Sequence, residues 1–329
     1  MTRPSPTARG WTVAVVVLGA LAMGWAFGGR SLNAVIVPGV IALALTGVAL
    51  SRTDRPAVER SVPEYGFQGD ELTVDLHVES SPAMPARVID HLPTALSGDA
   101  SFRTITDGRT LTYDVTLERR GVHRIGGVRV ETTDPLGLWR RSVEIPGRDG
   151  VTVYPSVRPL AASAPIVRAV RGPTDERDHF DSVREYTPGD PLRDVNWKTS
   201  AKRPRGLYVT EFAGTGETRT VVLGVEATTG SLDATAEAAA SVAVHLLDAG
   251  APVGVVTPDG DVDPAVGDPH RRRILGLLAT FDGGTLEDAQ RDRVDVSVRG
   301  DGGGEVAVVA GEDRTTFAGI ADRSAEGWA

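Results

Sequence analysis

Trp11-Thr12-Val13-Ala14-Val15-Val16-Val17-Leu18-Gly19-Ala20-Leu21-Ala22-Met23-Gly24-Trp25-Ala26-Phe27 is a run of 17 residues without a charge. A second run, Leu32 to Leu50, has 19 residues, its polar or proline members limited to Asn33, Pro38 and Thr46. At 1.5 Å per residue the two reach about 26 and 28 Å, close to a hydrocarbon core of about 30 Å. Gly28-Gly29-Arg30-Ser31 leaves room only for a tight turn, so the reading is a transmembrane helical hairpin with spans at 11–27 and 32–50. Arg3 and Arg9 precede it and Arg52, Arg55 and Arg60 follow it, whereas the turn holds only Arg30. The positive-inside rule then places both termini and the soluble body in the cytoplasm of a two-span cell-membrane protein. A cleavable signal peptide ending near Ala20-Leu21-Ala22 is the alternative, but the apolar run continues past that point. Ala20, Gly24 and Gly28 form a small-residue stripe suited to close helix packing.

The rest of the chain has the opposite character. Residues 1–60 carry a net +4, and the remaining body −13, within a total of −9 over 329 residues. Such a body repels phosphate backbones, so no nucleic-acid partner is expected, and the lipid bilayer is engaged through the hairpin. Acidic excess with lysine only at Lys198 and Lys202 suits a high-salt medium. The absence of cysteine excludes disulfides, thiol nucleophiles and Cys-ligated metals.

Beyond residue 60 the period changes to two. Leu72, Val74, Leu76 and Val78 alternate with polar residues, as do Leu111, Tyr113, Val115 and Leu117. Val128/Val130, Val143/Ile145 and Val151/Val153 continue the pattern between turn signals such as Gln68-Gly69-Asp70, Asp107-Gly108 and Gly126-Gly127. An antiparallel β-sandwich over 61–155 is expected. From 156 to 329 strands and helices alternate. Thr220–Val225 and Val253–Val256 read as buried strands, and Asp233–Ala249 as an Ala-rich helix closed by Gly250. Asp268–Phe281 reads as a second helix, Thr285 with Asp288 as the cap of a short third, and Gly300–Gly304 as a hairpin turn. Val294–Val298 and Val306–Val309 close the series as strands. The pattern predicts a three-layer α/β domain with a mainly parallel sheet.

The densest chemistry lies at Phe180–Lys202. Asp190-Pro191 is a helix start after the Pro188-Gly189 turn, and Asp194 would face Lys198 at i, i+4. Arg205–Phe212 reads as a strand. Arg184, Glu185, Asp190, Arg193, Asp194 and Lys198 gather around one turn. They could form a partly buried ion-pair network that fixes the turn against the sheet, a docking surface or an acid–base site, but carboxylates beside arginines stay ionised, the wrong state for a general acid.

The run Arg184-Glu185-Tyr186-Thr187-Pro188-Gly189-Asp190-Pro191-Leu192-Arg193 and the run Val195-Asn196-Trp197-Lys198-Thr199-Ser200-Ala201-Lys202 together resemble the signature of domain-of-unknown-function family fifty-eight. Arg120–Gly126 and Thr133-Asp134-Pro135-Leu136-Gly137-Leu138-Trp139 resemble its β segment. Asn196 and Lys202 depart from its commoner Asp and Arg. The resemblance implies a C-terminal domain similar to von Willebrand factor type A, and genomic association with MoxR-type AAA ATPases, hence an assembly or adaptor role with such an ATPase as partner. Domains of that type hold a divalent ion through Asp-x-Ser-x-Ser. The matching positions here are Glu226, Thr228 and Gly230, a longer carboxylate and one residue without a ligand, so no metal is expected.

No Gly-x-Ser-x-Gly elbow, phosphate loop or paired histidine spacing occurs, and no cofactor is expected. His77, His91, His123, His179, His245 and His270 are scattered. The expectation is therefore a membrane-anchored, non-enzymatic interaction or adaptor protein. A divalent-metal-dependent hydrolase using Glu226 with Asp190 or Asp194, and a purely structural envelope protein, are the alternatives.

Overall fold

A computed structural model describes residues 3–27, 30–160, 180–185, 208–212 and 219–325. The chain divides into two compact units, Met1–Ser156 and Val157–Ala329.

In the first unit the apolar runs form α1 (Ala8–Phe27) and α2 (Asn33–Arg52), each 20 residues, long and apolar enough to cross a membrane. Their side chains are largely uncovered by protein: Trp25 is 92% exposed and Leu45 65%, a poor state in water for residues of this type. Gly39 admits Val17, whose Cγ2 would meet a Cβ at 2.4 Å, which brings the two helices close.

The sandwich begins earlier than the sequence pattern suggested. The expected boundary after residue 60 falls inside a strand, β2 (Ala57–Ser61). With β4 (Glu71–Glu79), β8 (Asp107–Leu117) and β6 (Leu96–Ser97) it forms an antiparallel sheet in the order β2-β4-β8-β6. A five-stranded sheet contains β1 (Ser5–Pro6), β5 (Pro85–Asp90), β7 (Ser101–Ile105), β10 (Val128–Thr133) and β11 (Trp139–Ile145). A third, small sheet joins β3 (Tyr65–Phe67), β12 (Gly150–Tyr154) and β9 (Gly121–Arg124). All three feed one core, in which Val74, Leu76, Val88, Val115, Leu117, Val130 and Val153 are essentially buried. Of the period-two residues read from the sequence, Val74, Leu76, Val78, Tyr113, Val115, Leu117, Val128, Val130, Val151 and Val153 belong to this core, while Leu72, Leu111 and Ile145 pack partly buried against it.

In the second unit β13 (Phe180–Glu185) pairs antiparallel with β14 (Tyr208–Phe212), Glu185 opposite Tyr208. The main sheet has the order β17-β16-β15-β18-β19-β20, from β15 (Val221–Ala227), β16 (Val253–Thr257), β17 (Gly260–Ala265), β18 (Val296–Gly300), β19 (Val306–Ala310) and β20 (Asp313–Thr316). Only β16-β15-β18 run parallel; the other three pairings are antiparallel, which corrects the expectation of a mainly parallel sheet. The connections after β16, β18 and β19 are too short for a crossover and can only reverse the chain. Gly300–Gly304 does lie at such a reversal, with the Gly304 N–H donating to Asp301 O at 3.2 Å.

α3 (Leu232–Asp248) lies over β15 and β18, with Gly250 as its left-handed end at φ 84°. α4 (Asp268–Ala279) packs on α3 and β17. The short α5 (Asp288–Arg291) is capped by Glu287 and Gln290 rather than by Thr285 and Asp288: Gln290 Oε1 accepts the Glu287 N–H at 2.9 Å. α6 (Phe317–Ala325) packs on β19 and β20.

Candidate functional site

Of the charged signature, Arg184 and Glu185 stand on β13, where they pair with Val209 and Tyr208 of β14. Tyr186, Pro188, Gly189, Asp190, Arg193, Asp194, Asn196, Trp197, Lys198, Ser200 and Lys202, with the helix expected from Leu192, lie outside the described residues.

The degenerate metal position is described in full. Ala227 and Gly300 are paired across β15 and β18, and a Cβ on Gly300 would lie 2.0 Å from Thr235 Oγ1 of α3. That face of the sheet is therefore pressed against α3, and Glu226, the preceding residue, turns to the opposite face. There its Oε1 accepts the Leu286 N–H at 2.8 Å and Arg291 Nη2 at 2.9 Å. Its Oε2 meets Arg299 Nε at 2.9 Å. The Glu226 side chain is 10% exposed, while the arginines are about half in water. Burial alone would raise the Glu226 pKa. The Leu286 amide, the Arg291 hydrogen bonds and the charges of Arg299 and Arg291 outweigh that and hold the carboxyl below its ordinary value. The same contact raises the pKa of Arg291. Both carboxylate oxygens are thus committed to guanidinium groups. Thr228 is in a different setting, the turn into α3, where its N–H donates to Gly300 O and its carbonyl accepts from Gly230 and Ser231. Two solvent-open clefts of about 260 and 220 Å³ adjoin Arg299. Among the described residues no three His, Asp or Glu side chains converge as a metal cage. His270 is satisfied inside the fold, its Nε2 lying 2.6 Å from Val253 O.

A second constellation joins the hairpin to the sandwich. Asp134, 2% exposed, closes the β10–β11 turn by accepting three backbone N–H groups: Leu136 at 2.8 Å, Leu138 at 2.7 Å and Trp139 at 2.5 Å. The sequence Asp134-Pro135-Leu136-Gly137 favours this, since Asp bonds the backbone two residues on and Gly137 takes a left-handed φ of 72°. The turn is then clamped from both helices. Thr7 Oγ1 donates to Gly137 O at 2.5 Å, and the Thr7 N–H to Leu138 O at 2.8 Å. Gly10 is required there, because a Cβ would sit 2.1 Å from the Leu138 carbonyl oxygen. Trp139 Nε1 donates to Leu43 O of α2 at 3.0 Å, its ring against Gly47, and Arg141 Nη1 donates to Thr53 O at 2.8 Å. Ser5 and Pro6 extend the same sheet beside Arg140 and Trp139. The residues before α1 and those after α2 therefore meet one body, on one side of the hairpin.

Deeper in the sandwich, Arg60 Nη1 reaches Asp149 at 2.9 Å and its Nη2 reaches Gly126 O at 2.9 Å, while both oxygens of Asp90 engage the same guanidinium. Tyr113 donates to Asp90 at 2.6 Å. Sequence reading missed Arg60, Asp90, Arg291 and Arg299, since no local pattern connects partners 30 to 89 positions apart. The Asp-Pro-x-Gly turn signal could have marked Asp134.

No protein-family model matches the chain. It is similar to the uncharacterized protein YeaD of Bacillus subtilis (strain 168), 28% identical over 233 residues, covering 64% of this chain. The match spans 58% of that relative's length, less than two thirds. Among solved structures, the PKD domain of an M14-like peptidase from Thermoplasmatales archaeon SCGC AB-540-F20 aligns with 30% of this chain and 99% of its own, at 13% identity and a TM-score of 0.21. The complex of human zinc 2-glycoprotein and prolactin inducible protein aligns with 30% of this chain and 96% of the matched chain, at 16% identity and a TM-score of 0.23. At these scores neither carries an argument.

Proposed function

We propose that this chain is a membrane-anchored, non-enzymatic interaction or assembly-adaptor protein, with its body cytoplasmic and the 184–202 surface presented to a protein partner. The observation that carries the reading is the condition of Glu226: the carboxylate a metal-dependent hydrolase would need open is held by Leu286, Arg291 and Arg299. An arginine-clamped carboxylate is fixed in its ionised form with both oxygens already paired to cations, which suits a structural hub. The α/β unit is read as a relative of the von Willebrand factor type A fold in which arginines occupy the metal's electrostatic role. The signature's resemblance to family fifty-eight supports a MoxR-type AAA ATPase as the partner, and the arginine asymmetry about the hairpin supports the cytoplasmic placement.

Affinity purification from detergent tests this with the wild type and an Arg193→Ala, Asp194→Ala variant. A MoxR-type ATPase retained by the wild type and lost from the folded variant is expected. Equal capture by both removes the signature as the docking site, and stoichiometric Mg²⁺ or Mn²⁺ in the purified chain favours the hydrolase.

A further inference from the structure

The spans account for how the chain is held at a membrane, but the β10–β11 turn lies beside them at a depth a purely aqueous body would not reach. Trp139 lies against Gly47 and bonds the Leu43 carbonyl, five and nine residues before Arg52 at the end of α2. At 1.5 Å per residue the indole therefore sits about 7–14 Å inside the helix end. With Arg52 set at the outer headgroup edge, half of a bilayer with headgroups being about 20–22 Å and half of its hydrocarbon about 15 Å, that depth lies at and below the headgroup–acyl boundary. Indole rings favour this zone, and Trp139 enters it with its N–H already satisfied, which removes the main cost of leaving water.

The residues around it agree. Leu136, in the Asp134 turn, is 55% exposed although the residues after it, Gly137 to Trp139, are bonded to Thr7 and Leu43. Arg9 lies against Gly137, its Nη1 3.6 Å from where a Cβ would stand, so a long side chain with a charged head flanks the turn. The same end of the sandwich exposes Ile105, 49% accessible and opposite Pro85. That end is fixed toward α2, because the Asp54 N–H donates to Ser81 O at 3.3 Å and the Ser80 N–H to Thr106 O at 3.1 Å. An apolar tip with every backbone N–H of the turn bonded internally is the kind of non-helical structure that lipid tolerates at its boundary.

We infer that the Asp134–Trp139 turn is a lipid-contacting wedge: Leu136 enters the acyl boundary of the leaflet beside the hairpin and sets the sandwich upright on the membrane. The occupant is the lipid itself, recognised through apolar contact and therefore independent of headgroup charge. This rests on the hairpin spanning the bilayer, and the test separates the two.

The chain has no cysteine, so single-cysteine variants report one site each. Leu136→Cys, Leu45→Cys within α2 and the exposed Arg119→Cys beyond the far end of β8 would each carry an environment-sensitive thiol dye, in the full chain reconstituted into phosphatidylcholine vesicles. The Leu136 and Leu45 labels are expected to lose most of their emission to spin-labelled lipid. Iodide quenching at Leu136 should fall several-fold below that at Arg119. A Leu136 label that behaves as Arg119 does, beside a lipid-quenched Leu45, overturns the wedge and leaves the hairpin standing. A Leu45 label that remains in water overturns both.

Discussion

Arg60 and Asp90 form a two-pronged ion pair inside the sandwich, Nε to Oδ2 at 2.9 Å and Nη2 to Oδ1 at 2.6 Å, with side chains 3% and 0% exposed. Arg60 lies only eight residues after α2, so this pair fixes the first strand beyond the hairpin to the core. Removing Asp90 leaves the buried Arg60 with Asp149 as its remaining carboxylate, and removing Arg60 leaves the buried Asp90 with no cation. Asp90→Ala is expected to destabilise the protein by about 3–5 kcal/mol, and Arg60→Lys to rescue little, because an ammonium cannot reproduce the fork. Denaturant midpoints in detergent check this.

Tyr113 belongs to the same group. Burial, then the hydrogen bond and charge of Asp90, push its phenol well above the usual tyrosine range, with Arg60 opposing. Tyr113→Phe should cost about 1 kcal/mol, and ultraviolet titration should show this phenol still protonated while exposed tyrosines ionise.

The turn that joins sandwich to hairpin depends on one carboxylate and one glycine. Asp134→Ala removes three acceptances at once and should raise amide hydrogen exchange at Leu136, Leu138 and Trp139 together, at a cost of about 2–3 kcal/mol. Gly10→Ala should loosen the same amides by driving a methyl into the Leu138 carbonyl, whereas Gly19→Ala, with nothing within 4 Å, should not.

Glu226 makes stability depend on acid in a stated direction. Its folded pKa lies below the ordinary carboxylate value, so its contribution is complete above that ordinary value of about 4.3 and is lost as pH falls through the lower, folded value. Glu226→Gln should cost about 1.5–3 kcal/mol at neutral pH and flatten that acidic limb, measured by urea unfolding at a series of pH values.

What the sequence reveals follows from the range of the interactions involved. The hairpin is legible because 17 and 19 successive residues share one property, and the strands at 72–78 and 111–117 because period two repeats within each. Ser5–Pro6 escapes because two residues carry no period and their strand exists only through pairing with Trp139 and Arg140. β17 and β20 escape because exposed edge strands such as Gly260–Ala265 and Asp313–Thr316 are mostly polar. Glu226 is found by its place after an apolar strand. Its partners Arg291 and Arg299 are 65 and 73 positions away, and only the folded sheet brings them to it.

Crosslinking in intact cells from a photoreactive residue at Asn196 decides whether the signature docks a partner. A discrete adduct with a MoxR-type ATPase is expected, lost when Arg193 and Asp194 are both replaced by alanine in a chain that still folds. An adduct pattern unchanged by that replacement, or the absence of any protein adduct from position 196, would contradict docking at the signature.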